Sequence, residues 1–395
     1  MKKSFFTNAR MILPDQRGSI LGSLVVEDGM ITEIRSGLLT IGLPVADLAG
    51  VIDCHGDYLF PGLIDLHCHG AVGHDAMEAT PTAFDRILRH HLSHGTTLTV
   101  LSTVSAPLEG ILSVLMAAEQ YITSTSDGFL AGIHLEGPYF ARSRSGAHLE
   151  SSLREPSDQE TRALLKHREI IKRITIAPEI PGACELILEL KKHGITISAG
   201  HSEASDSEAK TGFDLGVTQV THLYNCMSSQ RSHLGTRTTG LAEAALTRRG
   251  VLCELIADGV HLPPTLLRLA WMAKGWEELV LVSDATAGAG MGEGALFDLG
   301  GIPCRIANDA AWTGTGSGRR LAGSTACLLD GVRFMVECVG IPLEEAVAMA
   351  TLVPAKALGI ERERGSIDRG KRADLVRVSP AWQVNGVWSS GLKVV

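Results

Sequence analysis

Residues 173–201 read RITIAPEIPGACELILELKKHGITISAGH, and their pattern decides the fold. A β-branched run, RITIA, leads into an amphipathic segment of helical period, CELILELKKHG. A second run, ITISA, then stops at Gly200 and His201. Working outward, the same alternation recurs. LIDLH (63–67), TTLTVL (96–101), FLAGIHL (129–135), VTQVTH (217–222), VLCELIA (251–257) and LVLVS (279–283) bring the runs to eight. Segments such as TAFDRILRHHLSHG, DQETRALLKHREI and PTLLRLAWMAKG lie between them. Alternating strand and helix predicts a parallel sheet. Eight repeats over about 220 residues predict an α/β fold, a (β/α)8 TIM-type barrel, rather than an open doubly wound sheet.

The chain outside these repeats reads differently. ILGSLVVEDGMITEI (20–34) is two strand-like runs about an Asp28-Gly29 turn, and GSIDRGKRADLVRVSP (365–380) looks like turns and a short strand. Two β-rich ends therefore flank the barrel. Residues 285–323 are glycine-rich with short strand-like pieces, GALFDL and IPCRIA, and predict an insertion at the barrel mouth. Helices are expected again at about 324–338 and 342–350.

Composition narrows the function classes. With 395 residues, 45% apolar and 20% charged, the chain can bury a sizeable core and is far from disordered composition. Thirty-six basic against 44 acidic residues give a net charge of −8 with no basic block, which argues against nucleic acid as a partner. The start, MKKSFFTNARMILPD, has only a two-residue apolar step, and no apolar stretch reaches the roughly 18 residues of a membrane span. A cytoplasmic protein with no membrane partner is the expectation. Eight cysteines without a CxxC pair are expected to be buried thiols rather than a disulfide framework.

In a barrel of this kind the active site lies at the C-terminal strand ends. Here run one ends in Asp65-Leu66-His67-Cys68-His69, and run three in His134-Leu135-Glu136-Gly137-Pro138. Run five ends in Gly200-His201-Ser202, run six in Thr221-His222, run seven in Asp258-Gly259-Val260-His261, and run eight in Ser283-Asp284. The i, i+2 spacing of His67 and His69 puts both imidazoles on one strand face. Imidazole and carboxylate are ligands for zinc and similar divalent metals, and a catalytic site needs three protein ligands with a position left for water. Glu136, His201 and His222 make such a set, with Asp284 placed to hold the water and move its proton. A single strand-end His is ordinarily only hydrogen-bonded, Glu136 before Gly-Pro is also a turn cap, and Asp284 is also a helix cap. Joint placement at successive strand ends is what these ordinary roles explain poorly. Cys68, Cys226, His55, His74, His90, His91, His94 and His193 are assigned such ordinary roles.

With HxH on the first strand, single histidines on the fifth and sixth and Asp on the eighth, the chain resembles the amidohydrolase superfamily. Closer phrases narrow this. PGLIDLHCHG, LEGPYF followed by SGAH, APE, GHSEAS, THLYNCM, ADGVH, VSDA, LAGS and PAKALGI…GSIDRGKRADLV stand in the order and spacing of the N-acetylglucosamine-6-phosphate deacetylases, over nearly the whole chain. The resemblance implies a small β-sandwich domain from both chain ends (1–57 and 361–395) beside a barrel at 58–360. It implies deacetylation of N-acetyl-D-glucosamine 6-phosphate in amino-sugar catabolism. Glu136, His201 and His222 would bind the principal metal, His67 and His69 would give capacity for a second, and Asp284 would be general base and then acid. His148 would help stabilise the oxyanion. The cofactor implied is one or two divalent ions per subunit, zinc first, with iron or cobalt as alternatives. Because the strand position matching a carboxylated lysine is a Glu, no such modification is implied.

By the same resemblance, substrate contacts would come from Ala147, His148, Asn225, Cys226, Arg237, Asp258, His261, Leu321, Ala322 and Gly323, and one phosphate contact can come from a neighbouring subunit, which implies a homodimer. One stretch departs from the pattern. Where relatives have HREPG, this chain reads SSQRSHLGTRTTG. Arg237 aligns with the family arginine because GLAEAAL follows, and Arg231 competes with it. Arg319 and Arg320, just before LAGS, form a pair of the kind ordinarily found as solvated surface. Rival readings are a deacetylase of the galactosamine epimer or of an unphosphorylated sugar, a barrel that only binds, and a dihydroorotase-like cyclic-amide hydrolase. The last leaves LEGPYF…SGAH and HLYN unexplained.

Overall fold

The structure is a computed structural model that describes residues 3–16, 18–37, 50–125, 128–314 and 316–395. All eight runs are strands: β1 (Leu63–Cys68), β2 (Thr96–Thr103), β3 (Leu130–Glu136), β4 (Ile171–Ile176), β5 (Thr196–Ala199), β6 (Gln219–Val220), β7 (Leu252–Ile256) and β8 (Leu279–Val282). They form one sheet in sequence order. Pairing is parallel, with Leu135 opposite Ile174, Ser198 opposite Gln219 and Ile256 opposite Val282. The sheet closes on itself just past β8, where the Asp284 amide donates to the His67 carbonyl at 2.9 Å and Cys68 bridges Ala285. This is a (β/α)8 barrel.

Helices follow the first seven strands: α1 (Pro81–Ser93), α2 (Leu108–Ser124), α3 (Asp158–Leu165), α4 (Ala183–Lys192), α5 (Asp206–Leu215), α6 (Leu241–Thr247) and α7 (Pro264–Lys274). Their boundaries have local causes. α4 buries Ala183, Leu186, Ile187 and Leu190, one face at helical spacing. α5 begins at a capping box, in which Ser205 Oγ accepts from the Glu208 amide at 3.3 Å and Glu208 Oε2 accepts from the Ser205 amide at 2.8 Å. α7 opens with proline, whose fixed φ suits a first turn.

The predicted mouth insertion is a four-stranded antiparallel sheet of Leu296–Leu299, Ile302–Ala307, Ala310–Thr313 and Arg320–Leu321. A small apolar cluster that includes Val104, Leu299, Cys304, Ala311 and Ala322 lies under it. The helix expected from 324 begins at Leu328, runs to Phe334 and widens into a π turn over Met335–Val339; another spans Leu343–Met349.

The chain divides into two compact units, Met1–Asp65 with His91–Leu98 and Leu328–Val395, and Leu66–His90 with Thr99–Cys327. The first carries an eight-stranded sheet drawn from both chain ends, from Lys3–Leu13 through to Leu392–Lys393. Its core includes Phe6, Met11, Leu24, Leu59 and Trp388, with Phe6 edge-on to Trp388 at 4.9 Å. Glu27 pairs with Met30 across Asp28 and Gly29, whose φ values of 49° and 85° are those of a tight hairpin turn. All eight cysteines are free; Cys184 and Cys338 are exposed rather than buried, on outward faces of α4 and the π turn. No described helix is long and apolar enough to cross a membrane.

Candidate active site

Three strand-end residues predicted as one set meet in the second unit. His201 Nε2 and His222 Nε2 lie 3.3 and 3.1 Å from Glu136 Oε1, and 3.1 Å from each other. The HxH pair converges on the same carboxylate: His67 Nε2 is 3.4 Å from Oε1, His69 Nε2 is 3.2 Å from Oε2, and the two Nε2 atoms are 3.1 Å apart. Asp284 Oδ1 stands 3.4 Å from His67 Nε2 and 3.3 Å from His69 Nε2. Glu136 is thus shared by two groups of ligand-type atoms. All of these residues are buried.

Hydrogen bonds at the outer ring nitrogens fix the tautomers. His201 Nδ1 donates to the Arg144 carbonyl at 2.8 Å, and His67 Nδ1 donates to Glu254 Oε2 at 3.2 Å. Both therefore present an Nε2 lone pair to Glu136, lone pair facing carboxylate, an arrangement that needs a positive charge between them. Ligand atoms at about 2.1 Å from a tetrahedral ion lie roughly 3.4 Å from one another, close to the spacing here. The donor set fits a divalent metal. His148 differs. The Ser105 amide donates to its Nδ1 at 3.0 Å, which leaves the proton on Nε2, 3.2 Å from Glu136 Oε2. That makes His148 a hydrogen-bond donor and not a ligand, although its nitrogen lies among the ligand atoms.

Where no cation sits between them, the imidazoles take up the balancing protons instead: burial lowers His67, but Glu136 and Asp284 outweigh it and raise it well above the ordinary imidazole range. Burial pushes the Glu136 carboxyl up, but His67, His148 and His201 outweigh it and hold it well below the usual carboxylate range. Burial likewise opposes ionisation of Asp284, yet His67 and His69 hold it at about 2. For His69 the carboxylates overcome desolvation and raise it to about 9, while burial lowers His201 to about 4. His201, His222 and Asp284 have left-handed backbones, with φ of 48°, 31° and 47°. For non-glycine residues these conformations cost of order 1–3 kcal/mol each, and such strain gathers at functional sites.

Beneath the cluster lies a polar network absent from the sequence reading. Glu254, in the middle of β7, accepts from His67 Nδ1 and from the His222 amide at 3.1 Å, and pairs with the buried Arg173 of β4. Arg173, the largest fully buried side chain among the described residues, also reaches Thr221 Oγ1 at 3.3 Å. Thr221 continues to Thr175 at 2.7 Å and Ser198 at 2.6 Å; Thr175 bonds His134 Nε2 at 2.7 Å, whose Nδ1 meets Ser102 Oγ at 2.9 Å. The signal available was a charged residue inside each of two apolar strand runs, KRITI and LCELI.

A cavity of about 230 Å³ opens over the cluster. Of the expected substrate contacts, Ala147, His148, Asn225, Cys226, His261, Leu321 and Gly323 line it. Gly146 packs so closely there that a Cβ would stand 2.7 Å from Cys226 Sγ, and its φ of 60° suits glycine. Three others are placed elsewhere. Asp258 is not among the lining residues and accepts from His261 Nδ1 at 2.7 Å. Ala322 is buried in the apolar cluster under the insertion. Arg237 is exposed on a two-stranded hairpin, Arg231–His233 with Thr236–Thr238, and its competitor Arg231 pairs with Glu203.

A model of the amidohydrolase family matches residues 58–394. The N-acetylglucosamine-6-phosphate deacetylase of Vibrio furnissii is 33% identical over 335 residues, 84% of this chain and 82% of the relative. The N-acetylgalactosamine-6-phosphate deacetylase of Escherichia coli O157:H7 is 32% identical over 385 residues, 97% of each chain. The crystal structure of the N-acetylglucosamine-6-phosphate deacetylase from Pasteurella multocida superposes with a TM-score of 0.91 at 29% identity, over 99% of each chain.

Proposed function

The chain belongs to the amidohydrolase family, and from that membership we propose that it is a metal-dependent deacetylase converting N-acetyl-D-glucosamine 6-phosphate to glucosamine 6-phosphate and acetate. The observation that carries this is the convergence of Glu136, His201 and His222 beside Asp284 in one cavity. Glu136, His201 and His222 would hold one divalent ion, and His67 and His69 with Glu136 would give room for a second. Nitrogen and oxygen donors suit zinc first, with iron and cobalt as alternatives. When bound, the ion supplies a Lewis acid and lowers the pKa of water toward about 7.

The chain's own residues do the rest. Asp284, ionised at neutral pH, accepts the proton of the attacking water and passes it to the departing nitrogen. That transfer is required because an amide anion is a very poor leaving group. His148 Nε2–H donates to the carbonyl oxygen as it becomes negative. Ala147, Asn225, Cys226, Leu321 and Gly323 shape the wall against the sugar. The barrel at 58–360 carries every one of these residues. Assembly as a homodimer and a cytoplasmic location belong to the same proposal, and sedimentation equilibrium tests the first.

A second reading is favoured by one specific finding: the galactosamine-phosphate deacetylase covers 97% of this chain, against 84% for the Vibrio glucosamine-phosphate enzyme. Acetate release from the two 6-phosphate epimers and from the free sugars separates the readings. Turnover confined to the glucosamine epimer supports the first, and a higher kcat/KM for the galactosamine epimer replaces it with the second. Asp284→Asn is expected to keep its metal and lose about 10²–10⁴-fold in kcat.

A further inference from the structure

We propose that Glu179 is the positioning residue that sets His201 among the proposed ligand atoms. The inference rests on the metal-site reading and deepens it by giving a role to the APE phrase, Ala177-Pro178-Glu179, which follows β4. Glu179 is half-buried and outside the cavity lining. Its carboxylate accepts from both residues that follow His201: Ser202 Oγ donates to Oε2 at 2.8 Å, and the Glu203 amide donates to Oε1 at 2.6 Å. At the start of the same phrase, the Ala177 amide donates to the carbonyl of Tyr139, three residues beyond Glu136, at 2.9 Å. The phrase therefore ties together the turns that follow two of the proposed ligands.

His201 needs such a hold. Its φ of 48° is left-handed, and a non-glycine residue keeps that conformation only where its surroundings over-determine it. The grip also reaches the ring. The Glu203 carboxylate pairs with the Arg144 guanidinium, and the Arg144 carbonyl is the acceptor that fixes the His201 tautomer. Glu179, Glu203 and Arg144 thus form one chain of contacts that sets both the backbone and the ring proton of His201. Burial pushes the Glu179 carboxyl up, against donors from its own amide and from the His201 turn. An apolar side chain would avoid that desolvation, so packing alone does not account for a carboxylate here.

The test compares wild type, Glu179→Leu and Glu179→Gln, each stripped of metal and titrated with zinc against a chromogenic chelator. Glu179→Leu removes both acceptors and is expected to weaken zinc binding about 10- to 100-fold, as loss of a partner that orients a ligand does. Glu179→Gln keeps an oxygen for the Glu203 amide and offers an NH2 to the Ser202 hydroxyl, which accepts as well as donates, so it is expected to stay within about threefold of wild type. Affinity unchanged in Glu179→Leu overturns the proposal, as does an equal loss in both variants. Should Glu179→Leu not fold, Ser202→Ala deletes one of the two bonds and takes its place, with a loss of about three- to tenfold expected and no loss overturning the proposal. The crystal structure of the stripped variant gives a readout that needs no metal. His201 Nε2 moved out of hydrogen-bond reach of Glu136 Oε1 supports the role, and the 3.3 Å separation kept overturns it. If wild type binds no zinc, the metal reading fails, and this structural comparison alone decides the role of Glu179.

Discussion

Glu254 shows how much of the site is built from residues that do not line the cavity. Its carboxylate is buried, and burial alone would raise its pKa; Arg173 and His67 instead hold it at about 2, so it stays charged inside the barrel. That charge fixes the proton on His67 Nδ1 and turns the Nε2 lone pair toward Glu136. Outer partners of this kind typically contribute 10- to 100-fold in metal affinity. Glu254→Gln is therefore expected to weaken metal binding by about that factor, measured by competition with a chromogenic chelator. Unchanged affinity would make the contact structural only. The ligand-type residues were legible because each sits at the end of an apolar run. Glu254 and Arg173 were not, because their meaning lies in each other, 81 positions apart and on different strands.

At the scale of elements, the strand runs and the Asp28-Gly29 hairpin were legible because period and turn chemistry are local properties of the chain. Tertiary placement was not. The segment holding Arg237 folds as an exposed hairpin outside this chain's own cavity, and the mouth insertion brings Arg320 to the cavity lining. Nothing within SSQRSHLGTRTTG reports which way such a hairpin projects. Helix starts were carried by short polar signals, and Ser205 at the head of α5 gives a clean test. Ser205→Ala removes the acceptor for the Glu208 amide and is expected to destabilise the protein by about 1 kcal/mol. Denaturant unfolding measures this. A loss under 0.3 kcal/mol would mean that tertiary packing, not the cap, sets that helix end.

For the whole molecule, stability and site chemistry are coupled. The barrel buries the Glu136 and Asp284 carboxylates against imidazoles, two of whose tautomers are set from outside the cluster. A bound cation satisfies that arrangement only in the folded chain, so it stabilises by mass action, by about 4 kcal/mol at a free concentration 1,000 times Kd. Stripping the protein with a chelator is expected to lower Tm by several degrees, and adding zinc back to restore it. A Tm unmoved by chelation, with metal loss confirmed by mass spectrometry, would remove the ion from the folding balance.

The most direct measurement pairs metal content with acetate release from N-acetylglucosamine 6-phosphate, for wild type and for Glu136→Gln. Bound divalent metal and steady acetate production in wild type are expected, with both largely lost in the variant. Equal metal content and equal acetate production in the two proteins would contradict the account at its centre.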